Sequence, residues 1–172
     1  MNNELAKDRE FLLPVSGLFI VLSLLVATLL NWLNWPSWSV ILKPDFVALV
    51  LLYWCTHKPN RVGIGTAWLV GIISDVGDAT LFGQHALAYT VLAFGGIVLN
   101  RRIQMFDLRQ QTIQVFPLLL SSYAVFALIN WQMHSFIVWE FFIGSATSAL
   151  LWTPMTVALQ NLRHTRHNPK EL

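Results

Sequence analysis

The stretch WSVILKPDFVALVLLYWCT, residues 38–56, decides how this chain is organised. Lys43, Pro44 and Asp45 interrupt it, so its longest run free of charge is the eleven residues 46–56. Eleven helical residues rise about 16 Å, roughly half the hydrocarbon core of a bilayer. Two accounts follow. Either the segment is a full span whose first third is broken at Pro44, or it dips into the membrane and returns.

The flanking sequence sets the frame for that choice. Of the 172 residues, 55% are hydrophobic and 12% charged, where a soluble domain carries about 25% charged residues. A water-soluble globule is excluded as a starting point. A membrane helix needs about 20 apolar residues, so six spans with short connections would use nearly the whole chain and leave no separate catalytic domain or nucleic-acid module. Hydrophobic continuity places the spans at residues 11–32, 38–56, 62–79, 83–100, 113–131 and 136–159, with a polar tail at 160–172. The first is too long and too acidic in its leader (Glu4, Asp8, Glu10) for a signal peptide, and is expected to be retained. Pro117 is expected in the first turns of the fifth span, where a missing amide proton costs least.

Charge chooses between the two accounts. With six crossings and a cytoplasmic N-terminus, Lys7, Arg9, Lys58, Arg61, Arg101, Arg102, Arg109, Arg163, Arg166 and Lys170 lie inside and only Lys43 outside. That is a strong positive-inside bias. A dip and return would put Lys58, Arg61, Arg101, Arg102 and Arg109 outside. The expectation is therefore an all-α integral membrane protein with six transmembrane helices and both termini cytoplasmic. Trp32, Trp35, Trp38, Trp131 and Trp139 fall at the outer boundaries, where amphipathic rings favour headgroup depth. Trp54 and Trp152 suit the inner side less cleanly.

The third span carries the most chemistry. Gly63, Ala67, Gly71 and Asp75 recur every four residues and share one helix face. Small residues there let a neighbouring backbone approach. A carboxylate such as Asp75 within a span is costly and marks a candidate functional group. Asp78 follows near the outer boundary, and with His85 the two carboxylates can in principle hold a cation or relay a proton. The structural alternatives are a protonated Asp75, an Asp75 bonded to a serine or to backbone of another helix, and an Asp78 that caps the turn with Gly77 and Gly83. Lys43, Pro44 and Asp45 form either a pocket mouth with a Lys43–Asp45 pair or an interfacial turn. Gly144, Ser145, Ser148 and Ala149 give the sixth span a second small-residue face, suited to packing against the third span or a partner helix. His57, His85 and His134 lie at span ends, Glu140 reaches toward headgroups, and the cytoplasmic arginines suit anionic lipid or an acidic partner.

Enzyme signatures are missing. There is no G-x-S-x-G turn, Walker-type glycine loop or H-E-x-x-H pair. No catalytic, cofactor-binding or metal-ligating residue is assigned, and no nucleic-acid reader is visible. Cys55, the single cysteine, sits in apolar company and excludes an internal disulfide.

Lys43-Pro44-Asp45 followed by Leu51-Leu52-Tyr53-Trp54, then Pro59, Arg61, Gly65, Gly71, Asp75 and Gly83, resembles the bacterial rod shape-determining MreD family. The resemblance implies a multi-pass protein of the bacterial inner membrane and a non-enzymatic part of the lateral wall-elongation complex. It implies MreC as direct partner, with the MreB filament, the RodA glycosyltransferase and a penicillin-binding transpeptidase in the same assembly. It also implies a fold similar to the six-helix substrate-binding component of energy-coupling vitamin transporters. No catalytic residues come with it; Gly71 and Asp75 fall on its pattern as candidates for folding or partner contact. Two functions are thus in view: a membrane scaffold that helps maintain rod shape, and a small-molecule or proton-linked transport subunit using Asp75.

Overall fold

The computed structural model describes residues 16–33, 43–78, 81–134 and 140–167. Among the described residues all regular structure is helical: α1 (Gly17–Trp32), α2 (Phe46–His57), α3 (Ile64–Gly77), α4 (Gln84–Gln104), α5 (Leu108–His134) and α6 (Glu140–His167). Three stretches, Gln84–Gln104, Gln110–Ile129 and Phe142–Leu162, are long and apolar enough to cross a membrane.

The starts of α1 and α2 have local causes. Ser16 caps α1 by accepting from the Phe19 amide at 3.4 Å, and Asp45 caps α2 by accepting from the Ala48 amide at 3.0 Å. Pro44 stands immediately before that cap, so it precedes α2 and does not bend it. The α2 start is bound to Tyr89 near the beginning of α4, and its last turn receives the Gln104 amide at the end of α4. The helix therefore runs along α4 in one direction and does not turn back. Residues 38–42 of the segment lie outside the described residues.

This short helix is the centre of the molecule. Val47 through Thr56 are all buried, because α1, α4 and α6 pack around α2. An apolar helix without a polar face is stable only if it is enclosed or in lipid, and here protein encloses it. Trp54 and Trp152 belong to this core. Their ring nitrogens donate to Ser23 Oγ at 2.8 Å and Gln111 Oε1 at 3.4 Å, which is why neither behaves as an interfacial tryptophan. Trp32 and Trp131 are exposed; Trp35, Trp38 and Trp139 lie outside the described residues. Cys55 is buried in the same core.

Around this centre, α3 packs on α4, α4 on α5 and α5 on α6. Pro117 is not in the first turns of α5, since the helix already begins at Leu108. Residues 108–112 are polar enough to escape a search for apolar runs, yet they are helical, and the Gln111 amide bonds to Asp107 C=O at 2.9 Å. The proline consequently interrupts an established hydrogen-bond ladder.

Candidate functional site

The polar groups collect at the end of the bundle where α2 and α4 begin. Gly83, the residue before α4, has φ +98° and carries no capping side chain. Glycine meets the left-handed geometry cheaply; the Gln84 amide bonds back to Leu81 C=O at 3.1 Å, but the His85 and Ala86 amides are left without a local acceptor. Asp75, in the last turn of α3, supplies it. Its Oδ2 accepts from the Gly83 amide at 2.8 Å and the Ala86 amide at 3.4 Å. Its Oδ1 accepts from the His85 amide at 2.7 Å and lies 2.9 Å from His85 Nδ1. Asp75 is only 1% exposed, and its burial comes from this contact with α4 as much as from its place along α3. A negative group at a helix N-terminus is also favoured by the helix dipole.

The helices can approach so closely because of Gly71. A Cβ added there would lie 2.4 Å from Ala86 Cα, a backbone clash. Ala67, Gly71 and Asp75 are all buried. Gly63 does not share the contact: it is the residue before α3, with nothing within 4 Å of an added Cβ, and its amide donates to Thr66 Oγ1 at 2.9 Å. Four-residue spacing placed it on the face, but it stands before the helix begins and no neighbour packs against it.

Asp45 builds a second junction. Its Oδ1 accepts from Asn31 Nδ2 at 2.9 Å, and the Tyr89 hydroxyl donates to Oδ2 at 2.9 Å. Asn31 Oδ1 in turn accepts from the Phe46 amide at 3.0 Å. The Asp45 amide donates to Ser148 Oγ at 3.0 Å, and Ser148 is 3.3 Å from the Tyr123 hydroxyl. The ring of His85, which Asp75 holds, packs edge-on to the Tyr89 ring with centres 5.6 Å apart, so the two junctions touch. Gln84 Nε2 donates to Phe126 C=O at 3.2 Å, and the His85 ring packs 4.8 Å from the Phe126 ring centre. Each of the six helices thus contributes to one polar knot.

The remaining sequence candidates fall around it. Asp78 follows α3, and its Oδ2 lies 3.9 Å from His85 Nε2; its own amide donates to Ser74 C=O at 2.9 Å. Lys43 is half-buried and acts electrostatically on Asp78, whereas the Asp45 carboxylate points into the bundle toward Asn31 and Tyr89. A Lys43–Asp45 pair at a pocket mouth is not the arrangement found. The small-residue face of α6 does not pack on α3: an added Cβ at Gly144 would lie 3.3 Å from the Tyr123 ring of α5, and Ser148 meets Asp45. His57 stacks on Tyr53 with ring centres 4.1 Å apart. The side chains of His134 and Glu140 lie outside the described residues. Among the described residues no group of three His, Cys, Asp or Glu is arranged to hold a metal.

Sequence reasoning singled out ionisable residues and missed Asn31, Gln84, Tyr89 and Tyr123. Aromatic and amide groups supply most of the partners on this side. The available signal was the isolated polar side chain within an apolar run, which needs a partner wherever water is excluded. Chemically, the knot is a set of carboxylates saturated with donors, suited to holding helices in register.

Residues 14–162 match the family described as rod shape-determining protein MreD. A curated Haemophilus influenzae protein named "Rod shape-determining protein MreD" is 30% identical over 151 residues, covering 84% of this chain and 91% of that protein. No solved structure matches.

Proposed function

Because this chain belongs to the rod shape-determining protein MreD family, whose membership implies a role in determining rod shape, we propose that it acts as a non-enzymatic membrane scaffold of the lateral wall-elongation complex. Its direct partner is MreC, with MreB, RodA and a penicillin-binding transpeptidase in the same assembly. The observation that carries this reading is the consumption of two carboxylates, the buried Asp75 and the half-buried Asp45, in bonds between helices. Asp75 accepts from α4 and Asp45 from α1, α2 and α4, so the partner-facing chemistry falls to the outer helix faces and the short turns.

The protein crosses the bacterial inner membrane six times with both termini cytoplasmic. Supporting this is the collection of Lys58, Arg61, Arg101, Arg102 and Arg109 at the end of the helices opposite Asp45. Those cations also suit anionic lipid. Gly71, Asp75, Asp45, Ser148 and Gly144 act by fixing helix positions, Ala67 by admitting α4, and Asp78 and Lys43 by framing the exposed edge beside His85. The alternative, a vitamin-type or proton-linked transport subunit, is less well supported because the Asp75 oxygens already face N–H donors.

Depletion in a rod-shaped bacterium that encodes the protein should give round, wide cells, and MreC should co-purify with it from detergent. Normal rods after clean depletion would overturn the scaffold. Thermal stabilisation by a vitamin or amino acid, with MreC absent from the pulldown, would favour transport.

A further inference from the structure

The helices α4 and α5 meet closely at Gly95, where an added Cβ would lie 2.5 Å from the Leu118 side chain. Nearer the α4 C-terminus they border a laterally open cavity of about 250 Å³ lined by Leu99, Arg102, Ile103, Ile113, Gln114 and Pro117. Pro117 has no amide proton, so the ladder bond that Ile113 C=O would receive from residue 117 cannot form. The lining therefore combines a guanidinium, a carboxamide and a carbonyl lacking its usual ladder donor with an apolar floor. Ile103 closes the inner wall with 0% exposure, while Ile113 at 73% and the exposed Arg102 mark a lateral opening.

We infer that this cavity binds the headgroup region of an anionic phospholipid carrying a free hydroxyl, of the phosphatidylglycerol type. Arg102 takes the phosphodiester, the Gln114 amide and Ile113 C=O face the head hydroxyls, and an acyl chain lies along Leu99 and Pro117. Charge complementarity selects this occupant. The adjoining ends of α4 and α5 carry Arg101, Arg102 and Arg109 against Asp107, and basic pockets between membrane helices attract acidic headgroups. A guanidinium also matches phosphate oxygens better than an ammonium does.

Native mass spectrometry of the full-length protein, delipidated and titrated with phosphatidylglycerol or phosphatidylcholine of identical chains, tests the site. Wild type should retain one phosphatidylglycerol at about fivefold lower lipid concentration than phosphatidylcholine, and Arg102→Gln should bring the two within about twofold. Arg101→Gln, next in sequence but outside the lining, should lower the preference less than Arg102→Gln does. Gln114→Leu gives a second readout if Arg102→Gln is poorly folded, and should weaken phosphatidylglycerol retention specifically. Equal retention of both lipids by wild type, or an unchanged preference in folded Arg102→Gln or Gln114→Leu, would overturn the proposal.

Discussion

At the Asp45 end of the bundle, carboxylates sit where helices begin and are surrounded by donors from their neighbours; at the Arg102 end, cations sit where α4 finishes and remain exposed. Asp45 and Asp75 serve the starts of α2 and α4, while Arg101 and Arg102 occupy the last turn of α4. Both placements suit the helix dipole, but their packing differs. Bonds between helices at the Arg102 end join neutral groups, such as Thr112 with Thr153 at 3.1 Å and Gln104 with Thr56 C=O. The same electrostatic rule thus yields a buried fastening at one end and an accessible basic rim at the other.

Substitutions at the two ends should differ accordingly. The largest effect is expected from Asp75→Leu, which strands the Gly83, His85 and Ala86 amides; removing one partner from a buried charged network costs about 3–5 kcal/mol. Loss of folded protein in detergent, followed by circular dichroism, reads this out, and near wild-type stability would break the contrast. Asp75→Asn keeps one acceptor but turns an NH₂ toward an amide, so stability should fall to an intermediate level, with rod shape recovering if expression is raised.

Next is Gly71→Ala, for which overpacking against the Ala86 backbone costs about 1–3 kcal/mol. Its control is Gly65→Ala, where nothing lies within 4 Å of the new Cβ and the change should stay within about 0.5 kcal/mol. Tyr89→Phe removes a hydroxyl bonded to the Asp45 carboxylate and should lower stability by about 1.5 kcal/mol, because bonds to charged groups exceed neutral ones. At the opposite end, Gln104→Leu removes one neutral bond and should cost about 1 kcal/mol or less. Equal losses for Tyr89→Phe and Gln104→Leu in thermal unfolding would show that the two ends are not fastened differently.

How far the sequence could be read depended on the kind of signal. Apolar continuity identified helical segments, because each helix needs burial regardless of its neighbours. Helix limits were harder: residues 108–112 are polar yet helical, since a helix continues wherever its backbone ladder does. The four-residue repeat of Ala67, Gly71 and Asp75 was legible as a face, but Gly63 shows that spacing alone does not say where the helix itself begins, since it stands just before α3 with nothing within 4 Å of an added Cβ. Gly83 and Asp75 were both noticed without the link between them. A capping bond from one helix to the next depends on the turn geometry, which no local pattern encodes. Asn31, Tyr89 and Tyr123 escaped because an isolated polar residue becomes informative only when its partner is known.

The sequence by itself determined the helical class, the segregation of charge and the resemblance to the MreD family, since hydropathy, charge order and motif order are properties of the chain as written. Only the tertiary structure decided that α2 is the enclosed centre, that Asp75 caps α4, and that Asp45 and Ser148, 103 residues apart, meet. Hydrogen bonds and close backbone approaches act over a few ångströms, and which residues come within that range is fixed by how the helices pack.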